Sequence, residues 1–266
     1  MKEGYKIFAI RLAKKAGKVI RKNFVAIGKK KEWKEDHTPI TETDLAINKM
    51  VIDEVKESFP DHSILGEELQ DMSGSGKFVW VCDPLDGTVP FSHGWQTSVF
   101  SLALVEDGKP IVGVIYDPYL DRMFFAEKGK GTTLNGEPVH VNNKSDFKRA
   151  VVTVVPIDHD QTYNVLPVVE IFTKKGAMLV NVGAICYMGM LLAAGEFTAS
   201  IFAGTTAHDS AAIKILVEEA GGKVTDLYGK EQRYDQKTRG HIASNGLVHD
   251  ELLEMVSPFL PKSENG

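Results

Sequence analysis

Two aspartates three residues apart, Asp83 and Asp86, follow the apolar run Trp80-Val81-Cys82 and precede Gly87-Thr88. Pro84 lies between them, and its fixed φ forces a turn, so both carboxylates and the Leu85 carbonyl can face one point. That oxygen set suits a hard divalent ion such as Mg²⁺. Gly87 and Thr88 read as the start of a short helix with Pro90 in its first turn. The N–H groups of Gly87, Thr88 and Val89 are then placed to hold an anion such as phosphate. Taken alone, the segment from Asp83 to Thr88 fits an exposed, Asp-capped turn equally well.

Further acidic positions accompany it. Ile64-Leu65-Gly66-Glu67-Glu68 ends another strand in paired carboxylates, and Asp209 opens a helix after the loop Gly204-Thr205-Thr206-Ala207-His208. By themselves these are a solvated acidic loop and a charge at a helix N-terminus. Asp44 falls in the first turn of a helix, where it fits a capping box with Thr41.

In combination the segments resemble the inositol monophosphatase family of metal-dependent phosphatases. The family's Gly-Glu-Glu strand end corresponds to Gly66-Glu67-Glu68, and its Asp-Pro-Leu-Asp-Gly-Thr loop to Asp83 through Thr88. Its helix start and Glu-Ala-Gly-Gly sequence correspond to His208-Asp209-Ser210-Ala211-Ala212 and Glu219-Ala220-Gly221-Gly222. Thr41-Glu42-Thr43-Asp44 and Lys128-Gly129-Lys130-Gly131 align as well, so the resemblance spans nearly the whole chain.

The resemblance implies a Mg²⁺-dependent phosphomonoesterase acting on a small inositol-1-phosphate-like metabolite. Glu67, Asp83 and the Leu85 carbonyl would hold one ion and Asp83, Asp86 and Asp209 a second, with a third near Glu67 through waters. Glu67 and Thr88 would orient the attacking water, with Asp44 accepting from the Thr88 hydroxyl. Substrate contacts would come from Asp86, Gly87, Thr88, Gly183, Ala184 and Asp209. The family also implies a homodimer and a layered α-β-α-β-α sandwich, an α+β fold. In it, residues 1–144 form a half with an antiparallel sheet and most metal ligands, and 145–266 an α/β half carrying Asp209 and the substrate-contact loop.

Departures from the family fall on substrate choice. Val89-Pro90-Phe91 follows the Asp-Gly-Thr, His208 replaces the usual Trp, and Phe202 stands where inositol-hydrolysing members carry a sugar-contacting Glu. The usual Arg falls near Val180. Phe202 cannot accept a hydroxyl proton; it either packs in the core or stacks on a ring. Histidinol phosphate, fructose 1,6-bisphosphate and 3′-phosphoadenosine 5′-phosphate are therefore rival substrates. A binding or regulatory member without turnover is the rival class.

Amphipathic helices are expected over 5–24 and 43–59, the second stopped by Pro60. Strands are expected over 63–65, 78–82, 97–105, 111–116 and 122–126, in an antiparallel meander. After a polar stretch at 142–149, strands at 151–155, 178–181, 199–202, 223–225 and 241–243 alternate with helices at 163–173, 184–194, 209–220 and 250–256. The stretch 23–39, with Lys29, Lys30, Lys31 and Lys34, reads as an exposed hairpin or mobile loop.

The 266 residues are 43% hydrophobic and 25% charged with a net charge of −5, which excludes a disordered chain and argues against non-specific binding to nucleic acid or an anionic membrane. The lysine cluster leaves RNA or protein contact as a weaker option. No apolar stretch approaches the ~20 residues of a membrane span. Two cysteines and a charged N-terminus fit a reducing cytoplasm. Cys82 and Cys186 lack metal-ligand spacing and read as buried thiols. His62, His93, His140 and His241 read as surface or loop residues. The adjacent His208-Asp209-Ser210 does not make a triad, and Gly74-Ser75-Gly76-Lys77 lacks the first glycine of a phosphate loop.

Overall fold

Phe8, Leu12, Ala16 and Ile20, at spacings of four, fold Tyr5–Asn23 into α1 with this stripe fully buried. A computed structural model describes residues 4–24, 32–33, 39–40, 42–156 and 163–261. Glu32–Trp33 (β1) and Pro39–Ile40 (β2) pair antiparallel, as a hairpin would; the lysine cluster and Thr41 lie outside the described residues. Helix α2, Glu42–Ser58, buries Ile47, Val51 and Val55 beside α1.

Strands β3 (Ser63–Gly66), β4 (Gln70–Asp71) and β5 (Phe78–Asp86) lead to the short helix α3 (Thr88–Ser92). Strands β6 (Val99–Glu106), β7 (Lys109–Asp117), β8 (Arg122–Glu127), β9 (Thr132–Leu134) and β10 (Glu137–Val139) follow. They form an eight-stranded sheet in the order β10-β9-β8-β7-β6-β5-β3-β4. From β5 to β10 it is the expected antiparallel meander, but β3 joins β5 in parallel, a crossover that periodicity alone does not reveal. β5 also runs beyond the expected Cys82 to Asp86, with its register against β6 broken between Asp83 and Asp86, around Pro84. Pro84 has no N–H for the ladder, so the strand bulges there instead of ending.

The second sheet comprises β11 (Val151–Val155), β12 (Met178–Leu179), β13 (Ala199–Phe202), β14 (Lys223–Thr225) and β15 (His241–Ser244), in the order β12-β11-β13-β15-β14. β12 and β13 run parallel to β11, whereas β15 is antiparallel to β13 and β14. Its helices are α4 (Val168–Lys174), α5 (Ile185–Ala193), α6 (Ala211–Glu219) and α7 (His249–Val256), with a 3₁₀ turn at Ser257–Phe259. α4 is shorter than expected because Pro167 stands at its N-cap.

Three apolar clusters define the layers. Helices α1 and α2 cover one face of the large sheet through Trp80, Phe100, Leu102 and Leu104. The alternate residues Val79, Val81, Val99, Ala103 and Val105 face α5 and α6, which lie between the sheets against Val155, Val224 and Ala243. Helices α4 and α7 cover the outer face of the second sheet through Val152, Val154, Ile201 and Ile242. The result is the five-layered α-β-α-β-α sandwich. Being covered on both faces, the large sheet has strands that read as continuous apolar runs.

Close approach of α6 to β7 requires glycine at 113, where a Cβ would stand 2.4 Å from Ile215 Cγ2. Gly113→Ala is expected to destabilise the fold by about 1–3 kcal/mol, a fall of roughly 3–10 °C in Tm by calorimetry. An unchanged Tm would show that α6 shifts freely.

Candidate active site

Four chain segments converge on one cleft of about 700 Å³ between the two sheets. The β3 end supplies Glu67 and Glu68; β5 supplies Asp83, Leu85 and Asp86; the turn into α3 supplies Gly87, Thr88 and Val89. The loop before α5 supplies Gly183 and Ala184, and the segment before α6 supplies His208 and Asp209. Every expected site residue except Asp44 therefore lines this cleft. Asp44, fully buried on α2, lies behind it.

The bulge in β5 turns Asp83 and Asp86 to one point: an oxygen of each and the Cys186 Sγ lie within 4.8 Å of one another. Asp83 Oδ1 accepts the Leu85 N–H at 3.0 Å, which holds the turn. Asp86 is gripped from the opposite half: its Oδ1 accepts the Ile185 N–H at 3.0 Å and its Oδ2 the Tyr187 N–H at 3.1 Å. These are first-turn amides of α5, which have no acceptor within the helix. The Tyr187 hydroxyl accepts from Arg122 Nη2 at 2.6 Å, and the same nitrogen reaches the buried Asp117 Oδ2 at 2.8 Å, so α5 is anchored to the large sheet.

Burial drives the Asp83 carboxyl well above its ordinary pKa, and the Glu67, Asp86, Asp209 and Asp44 charges add to the rise. Asp86 is also raised, by burial first and then by Asp209; the amide bonds from Tyr187 and Ile185 oppose the rise. The residues acting most on Asp83 are thus other carboxylates. Like charges gathered in low dielectric are stable only when something positive joins them, and the oxygen donors fit hard divalent ions.

Asp44, Glu67 and Glu68 form a second carboxylate group with ligand atoms within 4.8 Å of one another. The Thr88 hydroxyl lies 3.3 Å from Asp44 Oδ1 and 3.2 Å from the Leu85 carbonyl, the Asp44 contact being the one that the family resemblance implies. Gly87 sits at φ +87°, and a Cβ there would also stand 2.8 Å from the Ala184 Cβ, so glycine lets the two halves meet at the turn.

Asp209 does not open the helix. It lies two residues ahead of α6, whose N-cap is Ser210. Its Oδ2 accepts from Thr206 Oγ1 and lies 3.6 Å from His208 Nε2. His241 is not a surface residue either. It is fully buried on β15, its Nδ1 is 2.8 Å from the Ser210 Oγ, and burial pushes its pKa down to about 3, leaving it neutral. Its strand position, paired with Phe202, puts it inside. Phe202 packs in the core, tilted against the His241 ring at 5.2 Å, while also lining the cleft.

Sequence reasoning missed Asn48. Fully buried one turn after Asp44 on α2, it accepts the Glu68 and Leu69 N–H groups, each at 3.1 Å, and donates to the Leu69 carbonyl at 2.9 Å. These bonds fix the loop that presents Glu67. A polar residue four positions after Asp44 was the available signal, since i and i+4 share a helix face. Lys237, Gln236 and Asn181 also line the cleft without any motif to announce them.

Comparison with known proteins gives concordant results. The chain is 31% identical to the fructose-1,6-bisphosphatase/inositol-1-monophosphatase of Thermotoga maritima over 251 residues, 94% of each chain. It is 31% identical to the Nus factor SuhB of Pasteurella multocida over 264 residues, 95% of each protein. The solved structure of Thermotoga maritima IMPase TM1415 superposes with a TM-score of 0.83 at 30% identity, covering 94% of this chain and 96% of that one. The inositol monophosphatase family profile matches residues 1–258, and the chain belongs to that family.

Proposed function

We propose that the protein is a Mg²⁺-dependent phosphomonoesterase that hydrolyses a small, inositol-1-phosphate-like metabolite by attack of water. The observation that carries this reading is the convergence of Glu67, Asp83, Asp86 and Asp209 on one cleft, with Asp83 and Asp86 buried and their pKa values raised by that burial first and then by neighbouring carboxylates. Family membership supports the same chemistry, since this is a family of metal-dependent phosphatases.

Glu67, Asp83 and the Leu85 carbonyl would hold one ion, and Asp83, Asp86 and Asp209 another, with a third near Glu67. Mg²⁺ bound there would neutralise the phosphate dianion and acidify a water. The remaining chemistry falls to the chain. Thr88 directs its hydroxyl proton towards Asp44 and the Leu85 carbonyl, which leaves its lone pairs to accept from the attacking water. Glu67 stands beside that position as base. The first N–H groups of α3 lack helical acceptors and suit the phosphoryl oxygens. Gly183 and Ala184 bound the substrate from the second half. Residues 1–144 thus supply most of the ligands, and 145–266 supply Asp209 and the substrate loop.

Val155, Ile185 and Phe202 make the far wall apolar, while Asn181 and Lys237 add polar groups. The family homodimer also fits, since Trp95, Met178, Leu179 and Val180 expose apolar surface. Among the described residues no helix is long and apolar enough to cross a membrane. Both thiols are free and buried, in keeping with a cytoplasmic site of action.

Release of inorganic phosphate from a phosphomonoester panel, with and without Mg²⁺, is the direct test. Turnover should require Mg²⁺ and fall about a hundredfold or more in Asp86→Asn; undiminished turnover in that variant would contradict the two-ion assignment, and no turnover of any ester would favour a binding protein.

Because the Asp83 pKa is raised in the fold, ionising this carboxyl costs stability that is retained only while it is protonated, and the cost grows as pH rises from its ordinary value of 3.8 through the raised one. Asp83→Asn should therefore raise the Tm of the metal-free protein at neutral pH, by about 2–4 °C per kcal/mol of relieved repulsion. The variant should also lose the increment that Mg²⁺ gives the wild type. A variant less stable than wild type without metal would contradict the assignment.

A further inference from the structure

Cys186 introduces sulfur into a cluster of oxygen ligands. Its Sγ lies with oxygens of Asp83 and Asp86 inside a 4.8 Å span, all three residues being buried. The thiol reaches the His208 carbonyl at 4.0 Å and that of Asp209 at 3.8 Å. Cys82 differs: it belongs to the cluster on the opposite face of the sheet, with α1 and α2.

A second observation points to a ligand at this spot. Ser101 is the cross-strand partner of Asp83, and its side chain stands beside the Cys186 thiol. Ser101 is 1% exposed, yet its hydroxyl has no hydrogen-bond partner. A buried hydroxyl without a full acceptor is costly to keep. A thiolate in place of the thiol would give it an acceptor, and bound metal is what makes a buried cysteine a thiolate.

Thiolate sulfur is a poor ligand for Mg²⁺ and a good one for Zn²⁺ and its neighbours. Zn–O near 2.0–2.2 Å and Zn–S near 2.3 Å place ligand atoms about 3.5 Å apart around a tetrahedral ion, so the span closes by about 1.3 Å at most when one ion binds. We propose that Asp83, Asp86 and Cys186 form a mixed sulfur–oxygen site that takes a thiophilic divalent ion of the Zn²⁺ class in competition with Mg²⁺, making turnover inhibitable by such ions. On binding, the S–H bond breaks, its proton passes to solvent and a metal–sulfur bond forms; nothing is oxidised or reduced. The inference rests on the Mg²⁺-phosphatase reading only for what the ion displaces and inhibits.

The test uses the whole chain, freed of metal by chelation and loaded with Co²⁺ in place of Zn²⁺. A near-ultraviolet sulfur-to-cobalt charge-transfer band is expected in the wild type and in Cys82→Ser, and not in Cys186→Ser. The chain has only these two cysteines, so wild type and Cys82→Ser alone assign the band even if Cys186→Ser fails to fold. Zn²⁺ affinity, read by competition with a chromophoric chelator, should weaken about tenfold or more in Cys186→Ser. Co²⁺ bound without the band, or a band lost in Cys82→Ser, would overturn the proposal. Wild-type phosphate release with Mg²⁺ is measured in parallel. Release without the band rejects the sulfur site alone, whereas the band without release from any ester rejects the phosphatase reading and leaves the sulfur site standing.

Discussion

Repulsion among carboxylates is the constraint to which the rest of this molecule answers. Asp83 and Asp86 are buried with Glu67, Asp209 and Asp44 as their nearest strong influences, an arrangement no isolated fold favours. The architecture holds it by rigid means. A nine-residue strand carries two of the carboxylates across a bulge, and the first amides of α5 reach over from the other half to fix Asp86. Apolar packing on both faces of the large sheet supplies the stability that the charges consume.

The site also depends on both sheets at once. Gly87 and Ala184 touch at the seam, Asp86 is held by amides about a hundred residues later in the chain, and Asp209 comes from the segment before α6. Asn48 and Asp44 reach the cleft from behind, through the helix layer that covers the far face. The carboxylates lining the cleft are scattered along the chain because they sit at the ends of β3 and β5 and ahead of α6, where side chains and free main-chain groups are available without breaking a ladder.

Much of this was legible in the sequence, for identifiable reasons. Asp83 and Asp86 announce themselves through Pro84 and Gly87, residues with narrow backbone roles, and α1 and α2 through their stripes. What was not legible depends on partners distant in the chain. The parallel pairing of β3 with β5 needs a crossover that periodicity does not encode. The extension of β5 through Asp86 was hidden because Pro84 reads as a strand end, although a bulge accommodates it. His241 appeared superficial because a lone histidine shows nothing of its strand partner, and Asn48 passed unnoticed because its role is to hold a loop about twenty residues further along the chain. Cys186 reads as a buried thiol without metal-ligand spacing; it is buried, with its sulfur against Asp83 and Asp86.

The most direct measurement is anomalous diffraction from crystals grown with Mn²⁺, a scatterer that accepts the same oxygen ligands as Mg²⁺. The account predicts peaks in the cleft within bonding distance of Glu67, Asp83, the Leu85 carbonyl, Asp86 and Asp209, with Asp83 shared between two of them. A cleft without peaks, its carboxylates turned instead to lysine or arginine, would contradict it.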